Sequence, residues 1–272
     1  MTKPKTSHSH RLTILGCGSS GGVPRIGAMW GKCDPENPKN RRRRCAVLVE
    51  RFGKDGGVTR VLVDTPPDIR EQLLETRVTS IDAVVFTHDH ADHTHGIDDL
   101  RMVAYAMKKR IDVWFDAPTR ASLEHRFDYC FHTPEGSSYP PILVGHDFNA
   151  GEKITIEGAG GPINVEAIGQ VHGDIASLGL RFGPVAYSPD VSHLDARAEA
   201  LLQGLDVWIV DALRYTPHPS HFSLKEAVSW LERLAVKHGV LTHMTGDPDY
   251  GALKRELPAH VEPAYDGMEI HF

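Results

Sequence analysis

The stretch FTHDHADHTHG, residues 86 to 96, holds four histidines and two aspartates. It directly follows the apolar run IDAVVF, residues 81 to 86, which predicts a short buried strand. Imidazoles and carboxylates packed this densely interact unfavourably unless a cation lies among them. Histidine nitrogens and carboxylate oxygens are typical ligands of zinc, manganese and iron. The stretch therefore predicts a metal site at the end of this strand.

The centre of the stretch is the pattern HxHxDH, formed by His88, His90, Asp92 and His93. On a loop that leaves a strand, side chains at alternate positions can converge on one cavity, and the adjacent Asp92 and His93 can point to different sides of it. Four ligands this close can complete one site or begin two. A second metal would need further ligands from elsewhere in the chain.

Three further candidates lie at predicted strand ends: His172 in QVHGD, Asp190 in YSPD and His243 in LTHM. Taken alone, a histidine at a strand end is more often hydrogen-bonded to its surroundings than bound to a metal. The occurrence of all three in this order, together with the HxHxDH pattern, favours metal binding.

The composition is that of a soluble globular protein. Of 272 residues, 40% are hydrophobic and 24% are charged, and the net charge of −6 gives no general attraction to polyanions. No run of about 18 apolar residues occurs, so we expect no membrane span. The four cysteines are scattered without a CxxC pair, and the N-terminus lacks an apolar signal core, which predicts a cytoplasmic protein.

The order of the predicted elements favours an α/β fold. Hairpin-like strands come first, strands that alternate with helices follow, and the second half of the chain repeats this order. After a polar tail at residues 1–10, we expect a single domain at residues 11–272, built from two packed sheets with helices outside. The patterns predict a strand at residues 162–168 and a helix at residues 223–239, and they assign no element to residues 121–150.

HxHxDH followed by a His, an Asp and a His resembles the metallo-β-lactamase superfamily, over essentially the whole chain from LTILGCGSSGGVP to YDGMEI. The resemblance implies a four-layer αβ/βα sandwich of two mixed sheets flanked by helices. It also implies two divalent metal ions, with zinc as the default and manganese or iron as alternatives. In the ligand set that it implies, His88, His90 and His172 hold one metal, Asp92, His93 and His243 hold the other, Asp190 bridges them, and Asp64 orients ligands from behind.

Such a metal pair supplies a shared hydroxide for phosphate and carboxylic esters alike, so other segments must indicate the substrate. The segment TPHPSHFSLKEAV, residues 216 to 228, and the loop GCGSSGGVP resemble two phosphodiesterase branches of the superfamily. These are ribonuclease Z and, as the closer match, the cyclic phosphodiesterase accessory to carbon–phosphorus lyase. The resemblance implies catalytic roles for His221 and Asp92, and substrate contacts from His221, His218, Ser19 and Ser20. A helix-capping or surface position is the alternative for the two histidines.

We therefore predict a dinuclear metal-dependent phosphodiesterase that hydrolyses a small or cyclic phosphodiester, such as a nucleotide. The alternatives are a carboxylic ester, thioester or lactone hydrolase, a tRNA 3′-end endonuclease, and a metal-bearing binding protein without catalysis. We expect no stable nucleic acid complex and no membrane partner. Relatives in this branch are often dimers, which makes a homodimer an open expectation.

The segment WGKCDPENPKNRRRRC, residues 30 to 45, resembles an insertion in which relatives carry several cysteines as a structural zinc site. Cys33 is the one cysteine inside the insertion, and Cys45 beyond the arginine run does not restore a four-ligand site, so we predict no structural zinc. The run Arg41 to Arg44 either attracts phosphate or RNA or neutralises nearby acids, and the acidic net charge favours the second interpretation.

Overall fold

The computed structural model describes residues 9–272, and most of the predicted polar tail, residues 1–8, lies outside the described residues. The strands are β1 His10–Gly16, β2 Ala46–Phe52, β3 Val58–Val63, β4 Ala83–Val85, β5 Ile111–Phe115, β6 Leu143–Asp147, β7 Lys153–Ile156, β8 Ile163–His172, β9 Ile175–Phe182, β10 Val185–Ser188, β11 Val207–Asp211, β12 His238–Thr242, β13 Val261–Pro263 and β14 Met268–His271. The α-helices are α1 Ile69–Glu75, α2 Ala91–Thr94, α3 Leu100–Met107, α4 Ala117–Arg126, α5 Asp128–Phe131, α6 Ala196–Leu201, α7 Leu224–Arg233 and α8 Tyr250–Glu256. Short 3₁₀ helices span Pro38–Asn40 and Ile97–Asp99.

The strands form two seven-stranded mixed sheets, in the orders β14-β1-β2-β3-β4-β5-β6 and β13-β12-β11-β10-β9-β8-β7. In each sheet the strands that come first along the chain pair antiparallel and the later ones pair parallel, except for β14, which pairs antiparallel with β1. Parallel neighbours need a crossover connection, which explains why helices enter the sequence only after the hairpins. The predicted α/β sandwich of two mixed sheets with flanking helices is confirmed.

The main core lies between the two sheets, and a second core lies between the first sheet and its helices. On β2, Val47 and Val49 pack into the main core, whereas Ala46 and Leu48 face the outer helices. Strands β3 and β4 alternate in the same way. Because both faces of these strands are buried there, the stretches AVLV of β2, VLV of β3 and AVV of β4 are wholly apolar.

Pairing between distant strands moves two of the predicted element bounds. The predicted helix at residues 223–239 ends at Arg233, because His238 and Gly239 pair with Val207 and Trp208 of β11. The predicted strand at residues 162–168 continues to His172, where β8 pairs with β9. The hydrophobic periodicity of one segment carries no information about the distant strand that pairs with it. Neither change can therefore be predicted from that segment alone.

Candidate metal centre

Residues of both sheets meet at one edge of the sandwich. Each functional residue there is the last residue of a strand or follows one. His88 follows β4, His172 is the last residue of β8, Asp190 follows β10 and His243 follows β12. Apolar strands thus carry the polar residues to the end of the sandwich, where they face one another across the two sheets.

His88, His90 and His172 form one group. A ring nitrogen of each lies within 4.8 Å of the others, and His90 Nδ1 is 3.3 Å from His172 Nε2. The outer nitrogens are held elsewhere: His88 Nδ1 is 3.0 Å from the hydroxyl of Thr87, and His172 Nδ1 donates to the carbonyl of Ser220 at 2.6 Å. The inward nitrogens of these two rings therefore remain for a shared ion.

Asp92, His93 and His243 form a second group, with ligand atoms again within 4.8 Å of one another. Asp92 Oδ2 is 3.6 Å from His93 Nε2 and 3.8 Å from His243 Nε2. The two groups match the division that the resemblance implies.

Asp190 lies between the two groups and is almost fully buried. Its Oδ2 is 3.0 Å from His93 Nε2 in the second group, and its Oδ1 is 3.6 Å from His172 Nε2 in the first. Oδ1 also lies 3.4 Å from His243 Nε2 of the second group, so this carboxylate is within reach of residues of both groups.

The atoms that point inward fit a divalent metal centre. Within residues 9–272, His88 Nε2, His93 Nε2, Asp190 Oδ2 and His243 Nε2 are buried and have no hydrogen-bond partner. Each buried polar atom left unpaired costs about 1–3 kcal/mol, so four in one place require a common partner. Three imidazole nitrogens and a carboxylate oxygen are suited to zinc, manganese or iron.

The electrostatics also call for positive charge at this point. Burial opposes a charge on His93, but Asp190, Asp92 and Asp64 together raise the pKa of its imidazole well above the usual value. Burial likewise lowers the pKa of His172 to about 4, which leaves this imidazole neutral and able to bind a metal at pH 7. A metal cation among the carboxylates would neutralise the negative charge that a proton on His93 otherwise neutralises.

Asp64 lies behind His93 and is fully buried. Its Oδ2 is 2.8 Å from His93 Nδ1, and its two oxygens accept from the amide and the hydroxyl of Thr87 at 2.8 Å each. This contact fixes the His93 ring so that Nε2 faces the centre. The structure therefore places Asp64 where an orienting carboxylate is needed.

Asp211 is a site residue that the sequence reasoning missed. It is fully buried at the end of β11, and its Oδ2 is 2.8 Å from His221 Nδ1 while its Oδ1 is 3.8 Å from His243 Nδ1. The signal was present in the sequence, since Asp211 ends the apolar strand in DVWIVDA just as Asp64 and Asp190 follow theirs. Asp211 therefore orients His221 through Nδ1, whereas its other oxygen lies too far from His243 Nδ1 for a hydrogen bond.

His221 lies beside the centre at the N-terminal side of α7, whose start is fixed by a capping box of Ser223 and Glu226. Its ring stacks on His243 with centroids 4.7 Å apart, and its side chain is 11% exposed. Distances alone also group His221 with His172 and Asp190 as possible ligands of one ion. With Nδ1 held by Asp211, Nε2 is the ring nitrogen free to meet a substrate.

The predicted substrate residues lie near the centre with different exposure. His218 is partly buried, with its ring 5.2 Å from that of His221. Ser19 is buried and its amide donates to the carbonyl of Met244, next to His243, whereas Ser20 is exposed. A Cβ on Gly18 would lie 2.8 Å from the Arg42 carbonyl, so this loop glycine is required by backbone packing. Substrate contact by the loop stays a prediction.

The arginine run is largely neutralised within the molecule. Arg43 pairs with Glu75 and Asp266, and Arg44 pairs with Asp68. Arg42 is 1% exposed and donates to the carbonyls of Thr245 and Pro248, with Nη1 3.8 Å from the Cys33 sulfur. The run therefore ties the insertion to the segments that follow β12, and binding of RNA by this run is untested.

The comparisons with known proteins agree with this geometry. Residues 59–244 match the family model of the beta-lactamase superfamily domain. A diphosphatase from the PhnP family, known from its crystal structure, is 35% identical, with a TM-score of 0.84 and 97% of each chain covered. Zn²⁺-bound PqqB from Methylobacterium extorquens is 16% identical, with a TM-score of 0.76 over 96% of this chain and 100% of that chain, and shows the fold alone.

One curated relative carries a different name. The octanoyltransferase of Porphyromonas gingivalis (strain ATCC BAA-308 / W83) is 29% identical over 266 residues, which are 95% of this chain and 51% of that protein. This chain thus spans about half the length of the curated relative that it matches.

Among residues 9–272, no helix combines the length and the apolar character needed to cross a membrane.

Proposed function

This chain belongs to the metallo-β-lactamase superfamily of metal-dependent hydrolases, and on that premise we propose that it cleaves a phosphate carrying two substituents. Such substrates include phosphodiesters, cyclic phosphodiesters and the substituted halves of a diphosphate. The observation that carries the proposal is the pair of Asp211 and His221 at 2.8 Å, set against the metal ligands. The diphosphatase that is 35% identical supports the same class of phosphorus chemistry.

The residues divide the work between binding metal and handling the substrate. One ion would be held by His88, His90 and His172, and the other by Asp92, His93 and His243. Asp190 would contact both ions. Zinc is the metal that we expect. A divalent metal pair generates a nucleophilic hydroxide at neutral pH and neutralises charge on the phosphate oxygens.

His221 faces the substrate with Nε2 and is backed by Asp211 at Nδ1. As the ester breaks, the leaving-group oxygen loses its bond to phosphorus, and His221 in its doubly protonated form donates a proton from Nε2 to that oxygen while Nδ1–H stays with Asp211. Asp211 keeps the ring in the required orientation and stabilises positive charge on it. Asp64 performs the corresponding positioning for His93.

A second candidate function is hydrolysis of an acyl ester or thioester on the same metals. The octanoyltransferase that matches this chain over 266 residues favours it, since that name refers to acyl chemistry. That relative has about as many further residues outside the match, so the name does not assign the acyl chemistry to the matched half.

A substrate comparison separates the two functions. The enzyme is stripped of metal, reloaded with Zn²⁺ or Mn²⁺, and assayed on bis(p-nitrophenyl) phosphate, p-nitrophenyl octanoate and nitrocefin. We expect metal-restored cleavage of the phosphate, lost in His88→Ala and kept in His132→Ala, which removes an exposed histidine on α5's C-terminal side. Activity confined to the octanoate or nitrocefin would contradict the proposal.

A further inference from the structure

A cavity of about 630 Å³ opens between the loop after β1, the segment after β11 and the segment after β12. Its walls include Arg25, Lys32, Arg214, Tyr215 and Thr245. None of these residues has a role in the proposed chemistry. The cavity is therefore a feature of the molecule that the metal centre does not explain.

The walls of the cavity and the metal centre share segments of the chain. Thr245 lies two residues after His243, and Tyr215 lies three residues before His218. The loop after β1 forms the third wall of the cavity. It is attached to the segment after β12, because the Ser19 amide donates to the carbonyl of Met244. A substrate that extends beyond the metal ligands would thus follow these shared segments toward the cavity.

The walls of the cavity are joined by a close backbone contact. The amide of Lys32 donates to the carbonyl of Gly246 at 2.7 Å, and a Cβ on Gly31 would lie 2.3 Å from that carbonyl oxygen. Gly31 also has a φ of +66°, which glycine adopts without the strain of a side chain. The cavity is thus built from fixed backbone.

The cavity carries an excess of positive charge in a chain of net charge −6. Three of its side chains, Arg25, Lys32 and Arg214, are cationic, and Asp247 is its one carboxylate. Asp247 is already paired with Lys32 at 2.7 Å. That leaves two guanidinium groups, and within residues 9–272 neither has a carboxylate partner.

Arg214 is also held in place before any ligand arrives. Its Nε and Nη2 donate to the carbonyls of Thr216 and Pro217 at 3.3 and 3.0 Å. A guanidinium with fixed orientation loses less conformational freedom when it binds an oxyanion, and its planar donors match phosphate geometry. Two unpaired arginines in a recess beside a phosphate-cleaving centre favour a second phosphate as the ligand.

We infer that this cavity binds the second phosphoryl group of the substrate, so that the substrate is a substituted diphosphate and not an isolated monophosphate diester. The inference rests on the proposed function for the phosphoryl group at the metals. Arg25 and Arg214 contact the second group and set the preference for two linked phosphates. Tyr215 and Met29, which are 40% and 58% exposed, offer apolar surface to the substituent beyond it.

The test compares the affinities of α,β-methylene-ADP and AMP for the metal-loaded enzyme by calorimetry. Both ligands carry adenosine, but only the first has two linked phosphoryl groups, and its methylene bridge resists cleavage. We expect the wild type to bind α,β-methylene-ADP at least about 10-fold more tightly than AMP, since each arginine–phosphate contact is a charge-assisted hydrogen bond. Arg25→Gln and Arg214→Gln should each reduce this ratio several-fold.

The matched control is Arg70→Gln, which removes an exposed arginine on α1 that does not line the cavity and should keep the wild-type ratio. Equal affinities of the wild type for the two ligands, or an unchanged ratio in both cavity variants, would overturn the inference. Failure of the proposed function shows separately, as absence of bis(p-nitrophenyl) phosphate hydrolysis by the wild type. Thermal unfolding of each variant confirms that it is folded.

Discussion

At the scale of single residues, the function depends on where strands end. Asp64 and His243 directly follow β3 and β12 and adopt positive φ angles of 63° and 56°. Left-handed backbone costs a residue with a side chain roughly 1–2 kcal/mol. Here the conformation turns one side chain to the back of His93 and the other into the metal centre, so the cost has a functional reason.

The first prediction at this scale concerns His221. Replacing it with alanine removes the only ring nitrogen that Asp211 orients toward the substrate, and kcat on bis(p-nitrophenyl) phosphate should fall by roughly 10²–10⁴. Metal content, measured by plasma mass spectrometry, should stay at the wild-type value. The matched change His218→Ala should cost much less. Loss of metal in His221→Ala would instead assign this residue as a ligand.

The second prediction concerns Asp211. Asp211→Asn keeps the size of the side chain but cannot stabilise positive charge on His221, and it can present the wrong hydrogen-bond partner to Nδ1. We expect kcat to fall about 10–100-fold, as is typical when an orienting carboxylate is lost. An unchanged kcat would show that the contact at 2.8 Å is structural only.

At the scale of elements, the sequence predicts the strands that carry the ligands. It misplaces the ends of elements that are set by pairing with a distant strand. IDAVVF, DVWIVDA and VLTHM are identifiable because burial on both faces makes them apolar. The end of α7 at Arg233 and the extension of β8 to His172 depend on β11 and β9, which local periodicity does not contain. Residues 121–150 are harder still, because α5 and β6 there are short and α4 is strongly polar on average.

Arg42 contributes to holding the insertion against the segments that follow β12. Arg42→Met should lower the free energy of unfolding by about 2–4 kcal/mol, because it leaves the carbonyls of Thr245 and Pro248 unpaired in the interior. Arg41 is exposed, so Arg41→Met should change the stability by less than about 0.5 kcal/mol. Urea unfolding measures both. Equal stability of the two variants would rule out this role for Arg42.

Asp249 connects the same insertion to α8 and gives a pH dependence. Burial opposes its charge, but hydrogen bonds from the Ala252 amide, the Asn40 amide group and the Asp34 amide lower its pKa below the usual value. A lowered pKa stabilises the fold above the normal value of 3.8 and loses that effect as the pH falls through the folded-state pKa. Asp249→Ala should therefore cost about 1 kcal/mol at pH 7.

The difference in stability between the wild type and Asp249→Ala should shrink as unfolding is measured at progressively lower pH, toward 3 and below. A difference that stays constant from neutral to acidic pH would show that the carboxylate charge contributes nothing.

At the scale of the whole molecule, the centre exists only when both sheets are assembled. The first sheet supplies the HxHxDH residues, and the second supplies His172, Asp190 and His243. The sequence predicts this ligand set because the residue types and their order are specific. It does not predict Asp211 as a site residue or the cavity beside the centre, because those depend on which loops meet in three dimensions.

The most direct test of the account is to locate the metals in a crystal of the zinc-loaded protein by anomalous scattering at the zinc edge. We predict two peaks per chain, about 3.5–4 Å apart. One should be bound by His88, His90 and His172, the other by Asp92, His93 and His243, with Asp190 between them. A single peak, or peaks away from these residues, would contradict the central claim that the two sheets together hold a dinuclear hydrolytic centre.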